Sequence, residues 1–287
     1  MANFVICTDS ACDLDRELLD SMGVKYADLT FRFDGEDKEY SNYGMPIKEF
    51  YDRMRRGGVA KTAAINTEEF SALFSEILDT GVDILYLGFS SGLSTTFNSA
   101  RLASLELAEK YPDRKIEVVD TLAASAGEGL IVYLANEKKN AGATLDEVAA
   151  YVRELVPHLC HWFTVDDLVY LKRGGRVSPA VAFVGNLLGI KPVLHVDDDG
   201  HLINMSKARG RKNAINALAE KYDELAVNKA GVAFISHADC IDDANALAQI
   251  IRSKHGADVK HIVNIGPVIG AHSGPGTLAL FFEGAHK

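Results

Sequence analysis

Asp83-Ile-Leu-Tyr-Leu-Gly88-Phe-Ser90-Ser91-Gly92-Leu93-Ser94-Thr95-Thr96 decides the fold class. Its first six residues form a short apolar run closed by glycine, the pattern of a strand covered on both faces. The hydroxyl-rich remainder opens a helix predicted from about Thr95 to Lys110. Strand, loop and helix in that order make a βα unit, and the flanking chain repeats it. On the amino-terminal side, Phe4–Thr8 reads as a strand. Asp13 is placed to cap a helix carrying Leu14, Leu18, Leu19 and Met22, which Gly23 stops. Val24–Phe33 reads as extended up to the turn Asp34-Gly35. Asn66 with Glu69 makes a capping-box start for a helix whose apolar face is Phe70, Leu73, Phe74, Ile77 and Leu78. On the other side come a strand over Ile116–Val119 and a helix over Gly129–Ala141. A second capping box, Thr144 with Glu147, opens a helix with Val148, Val152 and Leu155 inward.

This alternation predicts a three-layer α/β/α domain on a parallel sheet. After Pro157 the texture changes. Strands follow one another more closely, among them Leu159–Val165 and a hairpin around Asp197-Asp198-Asp199-Gly200, with helices near 212–225 and 241–255. That part is expected to be a two-layer α/β domain with a mixed sheet. The expected organisation is two domains, residues 1–155 and 156–287.

The chain has 287 residues, 47% hydrophobic and 24% charged, with a formal net charge of −10. A chain of this length buries a substantial core. Its acidity argues against nucleic acid as a partner. No uninterrupted apolar stretch approaches a membrane span of about 18 residues, so stable membrane insertion is not expected. The amino terminus enters a strand at once without a signal-like segment, and the expected location is cytoplasmic. Four scattered cysteines (Cys7, Cys12, Cys160, Cys240) do not form a disulfide framework. His158-Leu-Cys160-His161 lacks a second ligand pair at zinc-like spacing, so no metal and no cofactor is expected.

Candidate chemistry falls in four places. The first is the loop after Gly88, with five hydroxyl residues among seven positions (Ser90, Ser91, Ser94, Thr95, Thr96). In an open parallel sheet ligands gather at the carboxyl ends of strands, and a helix start favours an anion. The same loop matches the Gly-x-Ser-x-Gly nucleophile elbow of serine hydrolases at Gly88-x-Ser90-x-Gly92, with His272 downstream. No oxyanion segment precedes Ser90, and no orienting acid stands out. The second place is Lys61-Thr62-Ala63-Ala64-Ile65-Asn66, read as a loop approaching a helix. The third is Lys172-Arg173-Gly174-Gly175-Arg176 with Arg209-Gly-Arg211-Lys212. These glycine-flanked arginines suit an anion or an acidic partner. The fourth is Ile265-Gly266-Pro-Val-Ile-Gly270-Ala-His272-Ser-Gly274-Pro-Gly276, read as a loop. So many glycines are entropically costly unless the backbone must approach a neighbour closely. Neither a P-loop nor a dinucleotide fingerprint occurs.

In order along the chain, Thr8-Asp9-Ser10 with Asp13-Leu14, Thr62, Ser90-Ser91-Gly-Leu-Ser94-x-Thr96 with Ser99-Ala100, and Val119-Asp120 resemble the DegV family of fatty-acid-binding proteins. So do Leu168-x-Tyr-Leu-Lys-Arg-Gly-Gly-Arg176, Lys191-Pro192, Arg209-Gly and the glycine run. The likeness covers nearly the whole chain. It implies a DegV-like two-domain α/β carrier, not an enzyme, that holds one long-chain fatty acid such as palmitate, stearate or oleate between its domains. It further implies that the carboxyl group is presented to a separate fatty-acid kinase, which makes an acyl-phosphate for phospholipid synthesis. By position, Thr62 and Ser94 look like carboxylate-binding hydroxyls, with His272, Ser91, Thr95 and Thr96 close to the head group. Arg173, Arg176 and Arg209 look like residues of the pocket mouth or of kinase docking. The sequence departs from the family pattern at Ala63-Ala64-Ile65-Asn66, where Ser and a Pro-containing stretch are common, and at Thr95, where glycine is common.

Overall fold

In the computed structural model, which describes residues 4–177 and 189–287, the apolar runs of the first half pair as a parallel sheet. Its order is β2 (Lys25–Ala27), β1 (Phe4–Asp9), β6 (Asp83–Gly88), β7 (Ile116–Asp120). Alternation along β6 divides its side chains between two cores. Ile84 and Tyr86 pack with Phe70 and Phe74 of α3 (Thr67–Leu78) and with Ala100 and Ala103 of α4 (Thr96–Lys110). Leu85 and Leu87 pack on the opposite side with Leu130 and Ile131 of α5 (Ala126–Asn140) and Val148 and Val152 of α6 (Leu145–Leu155). Both predicted capping boxes are present, Asn66 with Glu69 and Thr144 with Glu147.

The second half forms a six-stranded mixed sheet. Its order is β10 (Leu202–Arg209), β9 (Ile190–Val196), β8 (Leu159–Thr164), β13 (Leu278–Glu283), β11 (Val232–His237), β12 (Asp258–Asn264). Only β11 and β12 run parallel. One face buries Cys160, Trp162, Ile235 and Leu280 against α8 (Arg211–Leu225) and α9 (Ile241–His255). The other face puts Phe163, Phe234 and Phe281 into the same core as α5. Helix α5 is thus shared between the two sheets. This is the expected two-domain α/β architecture, with one parallel and one mixed sheet. The hairpin also forms as expected, with Asp197 N–H donating to the His201 carbonyl at 2.9 Å.

Four local expectations are corrected. Val24–Phe33 is not one extended segment: β2 joins the parallel sheet, while β3 (Thr30–Phe33) pairs with β4 (Glu39–Ser41) and β5 (Ala60–Ala63) in a separate antiparallel sheet. Thr62 therefore sits on a strand, not in a loop. The glycine run holds a helix, α10 (Pro267–Ser273), with Pro267 in its first turn, where a missing N–H costs nothing. Finally, Asp13 does not cap α1 (Arg16–Met22). It adopts φ 55° after a short 3₁₀ turn, and Asp15 precedes the helix instead.

Asp13 serves a longer-range purpose. Its carboxylate accepts from Gly266 N–H at 2.9 Å and from the Ser125 hydroxyl at 2.5 Å, and Ser125 Oγ lies 3.0 Å from Ser236 Oγ. Nearby, Val268 N–H donates to Asn42 Oδ1 at 2.9 Å, and the Tyr51 hydroxyl donates to the Ile265 carbonyl at 2.8 Å. Gly266 must be glycine, because a Cβ there would stand 2.6 Å from Asn42 and 2.7 Å from Asp13. These bonds fasten the start of α10 to the amino-terminal half.

Burial pushes the Asp13 carboxyl up to about 7, from a free aspartate's 3.8. With the native value above the unfolded one, the native state binds the extra proton. Its contribution to stability is full at low pH and is lost as pH rises through about 7. Asp13→Asn keeps the acceptor for Gly266 and removes the charge. Urea unfolding should show the wild type losing on the order of 3 kcal/mol more than Asp13→Asn between mildly acidic and alkaline pH. Parallel profiles would contradict the assignment.

Candidate functional site

Between the two sheets lies a cavity of about 410 Å³, within the range of small-molecule sites. Its wall changes character along its length. Thr62, Ala63, Ala64, Ser91, Ser94 and Thr95 line one end and are half-buried or exposed to solvent. Phe163, Ala279, Phe281 and His161 line the other and are each under 9% exposed. The site therefore has an exposed, hydroxyl-bearing mouth and a buried, largely apolar interior.

The mouth is assembled from three elements. Strand β5 brings Thr62, the turn before α4 brings Ser94 and Thr95, and the last turn of α10 brings His272. His272 Nε2 lies 2.8 Å from Thr62 Oγ1. Its Nδ1 is buried without a partner among the described residues. Burial, and secondarily the charge of Arg176, push the imidazole down to about 4, so it is neutral at neutral pH. A buried N–H without an acceptor is the less tolerated orphan. The proton therefore belongs on Nε2, donated to Thr62 Oγ1. The Thr62 hydroxyl proton is then free to point into the cavity.

Ser94 has the same logic. Its Oγ accepts from Thr96 N–H at 3.2 Å and lies 2.9 Å from Thr96 Oγ1. Either hydroxyl can donate in the second contact; when Thr96 Oγ1 is the donor, the Ser94 proton is left for a ligand. Thr96 itself is fully buried and is not part of the cavity wall. Of the other expected residues, Ser91 and Thr95 line the mouth, as does Arg176, whose Nε donates to the Leu93 carbonyl at 3.3 Å. Arg173 and Arg209 are exposed and outside the cavity wall. Arg173 lies over the Tyr170 ring, and Arg209 ends β10.

The hydrolase alternative fails on geometry. The Ser90 hydroxyl is fully buried and donates to the Gly200 carbonyl at 3.0 Å, outside the cavity lining. His272 is bonded to Thr62 instead, and among the described residues no carboxylate orients its Nδ1. A nucleophile–base–acid relay needs all three in contact. The His158-Leu-Cys160-His161 segment does not converge either. Cys160 and His161 project to opposite faces of β8, and His158 Nδ1 lies 3.0 Å from the Ala285 carbonyl.

Some of the site escaped the sequence. Gly174 packs against the His272 ring, and a Cβ there would stand 2.2 Å from Nδ1. His161, Ser125 and Ser236 also reach the cavity wall. For His161 a signal existed: it shares the period-two face of Leu159 and Phe163. Gly174→Ala should cost about 1–3 kcal/mol in urea unfolding, the usual penalty for overpacking. In a His272→Ala background most of that cost should vanish. An unchanged cost there would show that Gly174 does not serve His272.

Comparison with known proteins agrees with this architecture. The family model described as "uncharacterised protein, DegV family" matches residues 3–285. A DegV domain-containing protein of Clostridium perfringens is 44% identical, with all of this chain and 99% of that protein aligned. One from Streptococcus pyogenes is 36% identical over 99% of both. Among solved structures, a DegV lipid-binding protein from Thermotoga maritima superposes with a TM-score of 0.86 at 33% identity, covering 100% of each chain. A DegV family protein from Thermus thermophilus, described by its fatty-acid binding, gives 0.88 at 31% identity over 98% of this chain and 99% of that one. The chain belongs to the DegV family.

Proposed function

We propose that this protein binds one long-chain fatty acid, such as palmitate, stearate or oleate, with its tail in the cavity and its carboxylate at the mouth. The observation that carries this reading is the pair of hydroxyls, Thr62 and Ser94, on the exposed part of the cavity wall, each backed by a side chain, His272 and Thr96, that can fill its acceptor role and leave its proton for a ligand. Two such donors at the open end of an apolar cavity suit an anionic head on an apolar chain. The amino end of α4 and the Arg176 guanidinium add positive potential there. The lipid-binding and fatty-acid-binding relatives support the same ligand class.

The energetics are consistent. Each buried methylene contributes roughly 0.8 kcal/mol, so about fourteen offer on the order of 11 kcal/mol before ordering costs. The head group then needs only enough hydrogen bonding to offset its desolvation. Neutral donors at an exposed mouth leave a carboxylate oxygen open to a second protein. This fits a carrier that makes no covalent bond itself and offers the carboxyl group to a separate fatty-acid kinase. Arg173 and Arg209, both exposed, are the proposed docking cations. The two sheets would correspond to domains 1–155 and 156–287, with the ligand between them. No helix among the described residues is long and apolar enough to cross a membrane.

Mass spectrometry of the purified, denatured protein should release a long-chain fatty acid in about equimolar amount. After delipidation, Thr62→Val with Ser94→Ala should weaken palmitate binding by roughly tenfold or more, as expected for two lost hydrogen bonds to a charged group. A lipid-free protein that also refuses added palmitate and oleate would overturn the proposal.

A further inference from the structure

The closed end of the cavity contains one side chain that an apolar tail does not explain. Pairing of β13 with β8 sets Phe281 opposite His161 and Ala279 opposite Phe163. Thr277, whose hydroxyl donates to the Ser273 carbonyl at 2.9 Å, marks the level of α10 and the mouth. Phe281 lies four residues further along, or about 13 Å at strand rise. His161 beside it therefore sits where the distal part of a chain would lie.

His161 is 1% exposed, and both ring nitrogens lack a hydrogen-bond partner among the described residues. Phe281 meets the ring edge to face, with centroids 5.8 Å apart. Such a contact offers at most a weak partner to one nitrogen. Burial holds the imidazole neutral, well below its ordinary pKa, so it presents one donor and one acceptor. Two other polar groups of the interior are already engaged, Ser125 with Asp13 and with Ser236; the buried Ser273 hydroxyl, which lacks a partner among the described residues, lies on α10 next to His272. Phe163, Val196, Leu202 and Phe281 line the surrounding wall. A phenylalanine or leucine at 161 would complete that wall without burying an unpaired polar ring.

We propose that His161 receives a hydroxyl carried on the ligand's acyl chain, so that this protein selects hydroxylated over plain long-chain fatty acids. The proposal rests on the fatty-acid reading above and names the subclass of that ligand. The hydroxyl would donate to one imidazole nitrogen or accept from the other. A plain chain would leave both unpaired.

The test uses the delipidated full chain and affinities for stearate and for a panel of hydroxystearates substituted from mid-chain to the terminal carbon. At least one isomer should bind about tenfold tighter than stearate, the size of one recovered buried hydrogen bond. His161→Phe should abolish that preference and leave stearate binding intact or tighter. His161→Gln, which keeps a donor and an acceptor, should retain part of it. Every hydroxystearate binding more weakly than stearate to the wild type would overturn the proposal without needing a variant, while leaving fatty-acid binding in place. An identical ranking in wild type and His161→Phe would overturn it equally. Failure of stearate and all hydroxystearates alike would overturn this proposal and the fatty-acid reading together.

Discussion

The His272–Thr62 side of the mouth depends on where the α10 helix begins, and that start is fastened by the Gly266 amide donating to the buried Asp13 carboxylate at 2.9 Å. Asn42 and Tyr51 add bonds to Val268 and Ile265. Three residues of the amino-terminal half thus grip one turn near the carboxyl terminus. Each bond contributes only about 1 kcal/mol net. Their combined effect is positional, because His272 one and a half turns later inherits their placement. Were α10 to shift, the 2.8 Å contact with Thr62 would be lost, and with it the orientation of the Thr62 hydroxyl.

The head-group site is accordingly an assembly of neutral donors, each positioned by a residue behind it. His272 supports Thr62, and Thr96 supports Ser94. Gly174 makes room for the imidazole. Desolvation and the nearby Arg176 keep His272 uncharged, so it donates without becoming a tight ionic partner for an anion. A salt-bridged carboxylate would be harder to hand on. A hydroxyl-bonded one at an open mouth remains within reach of another protein.

Much of this was legible in the residues before any coordinates. The βα alternation of the first half declares itself because buried parallel strands such as Asp83–Gly88 are continuously apolar and capping boxes mark helix starts at Asn66 and Thr144. The three-stranded antiparallel sheet did not, since strands of three or four residues such as Glu39–Ser41 carry too little pattern. Helix α10 was hidden because Gly270 lowers the propensity of a seven-residue helix flanked by Gly266 and Gly274, while tertiary bonds to Asp13, Asn42 and Tyr51 override it. Asp13 itself looks like a cap because its purpose involves a partner at Gly266, a separation no local rule detects. Ser94 and His272 stood out in the hydroxyl-rich loop and the glycine run, while Thr62 and the carboxylate-binding role of all three came from family likeness. That Thr96 stands behind Ser94, and that Ser90 is tied to Gly200, required the structure.

The most direct test is a crystal structure of the protein with palmitate bound. The carboxylate should lie at the mouth, accepting from Thr62 Oγ1 and Ser94 Oγ, with the tail running past Phe163 toward His161. A carboxylate at the closed end beside His161, or a ligand bound outside the cavity, would contradict it.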